Sequence, residues 1–211
     1  MVEIGKIEKP QAEEFSGKRK IYCVANVYPA KESESDYHAL VSKYWDEVAQ
    51  QLEKVEAAGK AGKIFCEMVY QQGDEALDIV GNLNKHMVGI IKRKLSEGSK
   101  LIPIEDPDIL GPYTDWGNCL RVVFTQVVFS KILEFYKEFS EKRIQQILTV
   151  IDKNLDESEA GVLFMKDEDR SRIQFPKDIE VFLITPPSYD DIMRWFRERV
   201  MKKSGEKDQA G

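Results

Sequence analysis

Two stretches of the chain decide the fold: residues 20–28 (KIYCVANVY) and residues 63–70 (KIFCEMVY). Both are rich in β-branched and aromatic residues, so each is predicted to be a buried β-strand. Between them, residues 35–58 carry apolar side chains at the period of an α-helix. Two strands joined through a helix of this length form a crossover connection, which is typical of a parallel sheet.

The alternation of strands and helices continues along the chain. Further strands are predicted over residues 100–105, 161–165 and 179–184, and further helices over residues 75–81, 84–97, 118–155 (with a break near Thr125 or Ser140) and 188–201. Residues 107–117 contain two prolines and two glycines and are predicted to form an ordered loop. We therefore expect an α/β fold with a mostly parallel central sheet of about five strands, flanked by helices on both faces.

The polar connection before the last strand, residues 166–178, leaves its direction open. The last strand either runs antiparallel at an edge, or residues 172–175 form a short extra strand. A chain of 211 residues fits one domain. We expect a flexible N-terminal arm over residues 1–17, a single α/β domain over residues 18–201 and a flexible C-terminal tail over residues 202–211.

The net charge and the pattern of apolar residues argue against a nucleic-acid-binding protein and against a membrane-spanning one. The 31 Lys+Arg and 37 Asp+Glu residues give a net charge of −6, which argues against nucleic-acid binding because phosphate contacts need a basic surface. No apolar run suggests a membrane span or a signal peptide. Cys23, Cys66 and Cys119 are widely spaced and form no C-x-x-C motif. Free thiols of this kind fit the reducing cytosol, so a cytoplasmic protein is expected.

Polar residues at the predicted strand ends are the candidate site, because ligands of open α/β sheets bind at the carboxyl ends of the strands. Glu67 is a carboxylate inside an apolar strand, and is either a salt-bridged surface residue or a general base or metal ligand. Glu105 and Asp106 lie at the end of the third predicted strand and form either a solvated turn or a carboxylate cluster with Glu67. Arg143 is either exposed on its helix or reaches that cluster.

In the ligand-binding interpretation, Glu67 and Glu105 act as base or metal ligands and Arg143 orients charge. The predicted ligand-binding residues around them are Asn26, Tyr28, Asp106, Asp115 and Trp116. Together they predict an acidic pocket that binds a small molecule or a divalent metal ion. The identity of any metal or other cofactor is left open.

Segments KIYCVANVYP, KIFCEMVY, KLIPIED and EKRIQQILTVIDKNL occur in this order before GVLFM. Their order resembles the TraB/Tiki and ChaN/erythromycin-esterase-like α/β superfamily. The resemblance implies that Glu67 is the superfamily's strand carboxylate and Arg143 its helix arginine. The superfamily's Gly-x-x-His motifs are missing: the first would fall on residues 25–28 (ANVY), and no histidine follows GVLFM. A degenerate hydrolase-like site is what this resemblance implies.

The alternative function is a non-catalytic interaction or scaffold subunit that acts through its long apolar helices. Apolar and aromatic residues cover more than one face of the long helical region: Phe124, Val127, Val128, Phe129, Phe135, Tyr136 and Phe139. A helix that is apolar nearly all round must be buried by the sheet or by a partner. In this interpretation the protein is expected to be a homodimer.

Overall fold

The computed structural model describes residues 17–29 and 35–208. The sheet within them has five strands: β1 (Arg19–Ala25), β2 (Ala61–Cys66), β3 (Lys100–Pro103), β4 (Ala160–Met165) and β5 (Ile179–Ile184). They lie in the order β3-β2-β4-β1-β5, and every pairing is parallel. The predicted α/β fold is confirmed.

The expectation of an antiparallel edge strand is wrong. Strand β5 pairs with β1 in parallel, in a register that places Tyr22 opposite Phe182. The connection from β4 passes across β1 and contains the short helix α6 (Asp167–Arg170). Residues 172–175 form no strand, and Ile173 is buried in the core instead. A connection that crosses only one strand can be this short because it contains a single helical turn, α6, and is held to the core by the buried side chain of Ile173.

Helices connect the strands and cover both faces of the sheet. In the described part of the chain they are α1 (Ser35–Val55), α2 (Gly73–Leu83), α3 (Lys85–Ser96), α4 (Pro107–Cys119), α5 (Gln126–Asn154), α6 and α7 (Pro187–Asp208). Side chains alternate along β1, so that Tyr22 packs with residues of α1, α3 and α7, whereas Ile21 packs with α5. Cys23 and Cys66 are buried free thiols.

Helix α4 occupies residues that were predicted to form a loop. Asp106 caps its N-terminus by accepting a hydrogen bond from the backbone N–H of Asp108 at 2.9 Å. Pro107 lies in the first turn, where a missing N–H costs nothing. Pro112 removes one bond inside the helix, and packing against α5 offsets that loss. Helix α5 begins after Thr125, one of the two predicted break points.

The ends of the chain are only partly described. Helix α7 continues to Asp208, so residues 202–208, predicted as tail, extend the helix, while residues 209–211 lie outside the described residues. The predicted arm lies outside them too, apart from Gly17. Within the described helices, none is both long and apolar enough to cross a membrane.

Candidate functional site

The site begins where β2 ends. Glu67 directly follows this strand, and its backbone N–H still donates to the carbonyl of Phe164 in β4, at 2.9 Å. Met68 then adopts a φ of 67°, in the left-handed region that side chains other than glycine rarely occupy. Its backbone N–H donates to Glu105 Oε1 at 2.9 Å. This turn brings the carboxylates that follow β2 and β3 to one edge of the sheet.

The Glu67 carboxylate is buried and hydrogen-bonded. Its Oε1 accepts from Asn26 Nδ2 at 3.0 Å and from Tyr28 Oη at 2.8 Å, and its side chain is 2% exposed. Burial raises the pKa of Glu67, while the hydrogen bonds from Tyr28 and the Lys166 backbone and the charge of Arg143 act in the opposite direction. Burial is the larger effect, so the pKa lies above the ordinary value for a glutamate.

Arg143 of α5 lies between the carboxylates. Its Nε donates to both oxygens of Glu105 at 3.0 Å, and its Nη2 donates to Oε1 of the same residue at 2.6 Å. Its Nη1 donates to Asp169 Oδ2 at 2.8 Å, and Nη2 lies 3.7 Å from Glu67 Oε2. Its guanidinium carbon also lies 4.9 Å from the ring centroid of Tyr113. Desolvation lowers the pKa of Arg143, but the three carboxylates raise it above its usual value.

These contacts form what we call the Arg143 network, consisting of Arg143, Glu67, Glu105 and Asp169. Every member makes a charge-assisted contact, and the side chains of Arg143 and Glu105 are 2% and 1% exposed. The guanidinium of Arg143 supplies the positive charge beside both Glu67 and Glu105. Among the described residues, no group of three or more His, Cys, Asp or Glu side chains is arranged to hold a metal ion.

Amide and hydroxyl groups hydrogen-bond to Asn26 and Tyr28, the residues that bind Glu67. Asn84 Nδ2 donates to Asn26 Oδ1 at 3.2 Å and to the Val27 carbonyl at 2.9 Å. Its Oδ1 caps α3 by accepting from the backbone N–H of His86. The Tyr37 hydroxyl donates to the Tyr28 carbonyl at 2.9 Å. The orientations of Asn26 and Tyr28 are therefore set by helices on the same face of the sheet.

The structure brings together five of the eight predicted site residues: Glu67, Glu105, Arg143, Asn26 and Tyr28. Asp106 serves as the cap of α4. Asp115 and Trp116 lie on α4, and Trp116 stacks on Phe135 of α5 with ring centroids 4.9 Å apart.

The sequence analysis missed Asp169 and Asn84 as members of this site. Asp169 follows β4 at the same edge of the sheet, and its position was the available signal. The other three residues of α6 are also charged and also follow β4, so position alone did not distinguish Asp169 from them. Asn84 begins a helix, but its distance in sequence from Asn26 hides their contact.

A cleft of about 440 Å³ opens next to the network. Its lining consists of polar residues that follow β1 and β4 and apolar residues of α1 and α7: Ala25, Asn26, Val27, Tyr28, Tyr37, Lys166, Asp167, Glu168, Tyr189, Ile192, Met193 and Phe196. The ammonium of Lys166 lies 5.4 Å from the ring centroid of Tyr28. Asp167 accepts from Arg170 Nε at 2.9 Å and Nη2 at 2.7 Å, so its charge is compensated.

Comparisons with protein-family models, curated proteins and solved structures gave no match. The resemblance to the TraB/Tiki and ChaN superfamily therefore stays a prediction.

Proposed function

We propose that the protein binds a small amphipathic molecule in the cleft beside Tyr28, with an anionic group of that molecule paired to Lys166. The observation that carries this proposal is the position of Lys166 above an aromatic ring in a cleft at the carboxyl ends of parallel strands. Open α/β sheets bind their ligands at such ends. Within the described residues, Lys166 makes no salt bridge within 4.0 Å of a carboxylate and acts on the buried Glu67 only through its charge, so its ammonium can contact a ligand directly.

The lining of the cleft favours a ligand with an apolar body. Tyr37, Tyr189 and Phe196 form one wall together with Ile192 and Met193. Pockets of a few hundred cubic ångströms with mainly apolar walls and a few fixed polar groups are typical of small-molecule sites. An aromatic carboxylate has both required parts, namely a ring for the wall and an anion for Lys166.

In this proposal Glu67, Glu105 and Arg143 support the cleft and make no contact with the ligand, because their side chains are at most 2% exposed. Glu67 holds the hydroxyl of Tyr28 and the amide of Asn26, which form the polar end of the cleft. Arg143 in turn holds the carboxylates. The network thus fixes the ring over which Lys166 lies before any ligand arrives, which reduces the ordering cost of binding.

Thermal unfolding with a panel of aromatic carboxylates tests this proposal. 4-Hydroxybenzoate, phenylacetate and indole-3-acetate would be compared with the amines tyramine and tryptamine, which lack the anion. A carboxylate at about 100 times its dissociation constant should stabilise the fold by about 2.7 kcal/mol, and so raise Tm by several degrees. We expect Lys166→Met to abolish the shift and Tyr28→Phe to reduce it.

Lys142→Met is the matched control, because its ammonium also lies over an aromatic ring, 4.7 Å from the centroid of Phe139, but outside the cleft. This variant should keep the full shift. Equal shifts with the amines, a shift that persists in Lys166→Met, or no shift with any carboxylate would contradict the proposal.

A further inference from the structure

Helix α4 and the outer half of α5 form a hairpin that the rest of the described chain does not bury. Every residue from 111 to 139 is exposed or half-buried, whereas α5 becomes buried from Ser140 onward. The large apolar side chains that this hairpin exposes are Val122 (68%), Phe124 (101%), Val127 (79%), Val128 (47%) and Phe135 (44%). An apolar surface of this kind on a protruding element marks an interaction site.

The apolar residues of the outer half of α5 form a regular stripe. Val128, Ile132, Phe135 and Phe139 follow one another at alternating spacings of four, three and four, which is the heptad pattern of helices that pack side by side. Helix α4 lies alongside this stripe: Tyr113 stacks on Tyr136 with ring centroids 5.2 Å apart, and Trp116 stacks on Phe135 of the stripe at 4.9 Å, which leaves Phe135 44% exposed. The hairpin is therefore a preformed pair of helices with one stripe half-exposed.

We propose that this hairpin packs against the same hairpin of a second copy, antiparallel, to form a four-helix bundle that joins two chains. The inference rests on the hairpin alone and is independent of the ligand proposed for the cleft. The four stripe positions are symmetric about the midpoint between Ile132 and Phe135. A two-fold axis at that point places Val128 opposite Phe139 of the partner and Ile132 opposite Phe135 of the partner, so one surface serves both copies.

The charges favour a second copy in the antiparallel direction. Residues 112–133, at the tip of the hairpin, contain two basic residues, Arg121 and Lys131, and one acidic residue, Asp115, and so carry a net positive charge. Residues 134–142, toward the sheet, contain three acidic and two basic residues. An antiparallel pair places the basic tip of each copy against the acidic segment of the other, whereas a parallel pair would bring the two basic tips together.

Lys131 and Glu138 supply a specific contact across this interface. They are seven residues apart, so they occupy the same heptad position beside the stripe, and in antiparallel helices such positions face each other. Lys131 lies 2.9 Å from Glu134 and Glu138 lies 2.7 Å from Lys142 within one chain, and all four side chains are at least half exposed. Exposed ion pairs of this kind contribute little to stability, so Lys131 and Glu138 can leave these partners and pair with each other across the interface.

Sedimentation velocity over a range of protein concentrations tests the inference on the full chain. We expect a monomer–dimer equilibrium, and Phe135→Glu or Val128→Glu should raise the dimer dissociation constant by tenfold or more, on the order expected for a central interface residue. Met201→Glu is the matched control, because Met201 is 73% exposed and lies outside the hairpin. This variant should dimerise like the wild type.

A charge swap tests the direction of packing. Lys131→Glu and Glu138→Lys should each weaken the dimer severalfold, and the double variant should restore it, since both opposite-sign pairs are then rebuilt. Each single variant should keep the wild-type circular dichroism spectrum and Tm as a monomer, because both side chains are exposed.

Three results would overturn the inference. The first is a wild-type protein that stays monomeric at the highest concentration measured. The second is a dimer that survives Phe135→Glu but is lost in Leu183→Glu, since Leu183 is 53% exposed on edge strand β5. The third is a monomer that binds vesicles of phosphatidylserine and phosphatidylcholine and releases them in Phe124→Glu, which would assign the hairpin to a lipid surface.

Discussion

Helix α5 has two halves that lie in opposite environments, and the more apolar half is the less buried one. In the inner half, Ser140, Arg143, Ile144, Ile147 and Ile151 are buried against the sheet. In the outer half, residues 126–139, no side chain is buried, although apolar residues cover more than one face there. Periodicity thus identifies the face of a helix that avoids water, but it does not identify what covers that face. Among the described elements, the sheet covers the inner half, and α4 is the one that lies beside the outer half.

The largest expected effect concerns the ionic network in the inner half. Arg143→Met should lower the free energy of unfolding by about 3–5 kcal/mol, because it leaves buried carboxylates without their cation. Urea unfolding measures this loss. Arg172→Met is the control: Arg172 is 40% exposed and hydrogen-bonds Ser140 and Glu141 near the same helix. That substitution should cost less than about 1 kcal/mol. Equal losses in the two variants would mean that burial does not decide the energetics here.

The difference between the two halves should also appear in apolar side chains of the same type. Ile147→Ala, in the inner half, should cost about 2–5 kcal/mol because Ile147 is fully buried and its removal leaves a cavity. Ile132→Ala should cost less than about 1.5 kcal/mol, because Ile132 is only half-buried in the monomer. Urea unfolding at low protein concentration compares them. Equal costs would show that the outer half is already covered within one chain.

The smallest expected change in the free energy of unfolding is that of Glu67→Gln. It distinguishes Glu67 from Glu105, the other glutamate that contacts Arg143. The folded protein raises the pKa of Glu67, so it holds this proton more tightly than the unfolded chain does. At low pH Glu67 is protonated in both the folded and the unfolded state, and the folding stability is not reduced by its burial. The stability falls as pH rises from the ordinary glutamate pKa through the raised one. Glu67→Gln should leave the unfolding free energy at pH 8 unchanged or higher by up to about 1 kcal/mol, and the difference should shrink toward pH 4.

Glu105→Gln is the comparison for that measurement. Glu105 accepts three hydrogen bonds from Arg143, so its loss should destabilise the fold at pH 8. A large loss in Glu67→Gln at pH 8, comparable to that of Glu105→Gln, would show that Glu67 is stabilised as an anion and that its pKa is not raised.

Strand positions were predictable because buried parallel strands are short apolar runs bounded by turns. Strand β5 occupies the residues predicted for it, and β4 begins one residue earlier than predicted. Helix α4 was missed because Pro107, Gly111, Pro112 and Gly117 are individually typical of loops. Packing against α5 overrides these local preferences, and such a tertiary contact has no signal in the sequence of α4 itself.

Part of the candidate site was predictable from one rule alone, namely that ligands of open α/β sheets bind at the carboxyl ends of the strands. The rule placed Glu67 and Glu105 at one edge, and the structure brings Arg143 to both of them. The sequence could not choose between an open acidic pocket and a closed ionic network, because that depends on side-chain burial. It also assigned Trp116 to the ligand, whereas the structure stacks this ring within the hairpin. The catalytic roles suggested for Glu67, Glu105 and Arg143 stay predictions.

The strand order has a consequence for how the chain folds. Strand β1 pairs with β4 and β5, so its partners are separated from it by most of the chain. In the described sheet, only β2 and β3 are neighbours in both space and sequence. During synthesis, β1 and helix α1 would leave the ribosome long before any strand able to pair with β1 exists. The unpaired backbone N–H and C=O groups along β1 thus depend on a late event, the emergence of β4, and chains halted before that point would be the ones most exposed to aggregation.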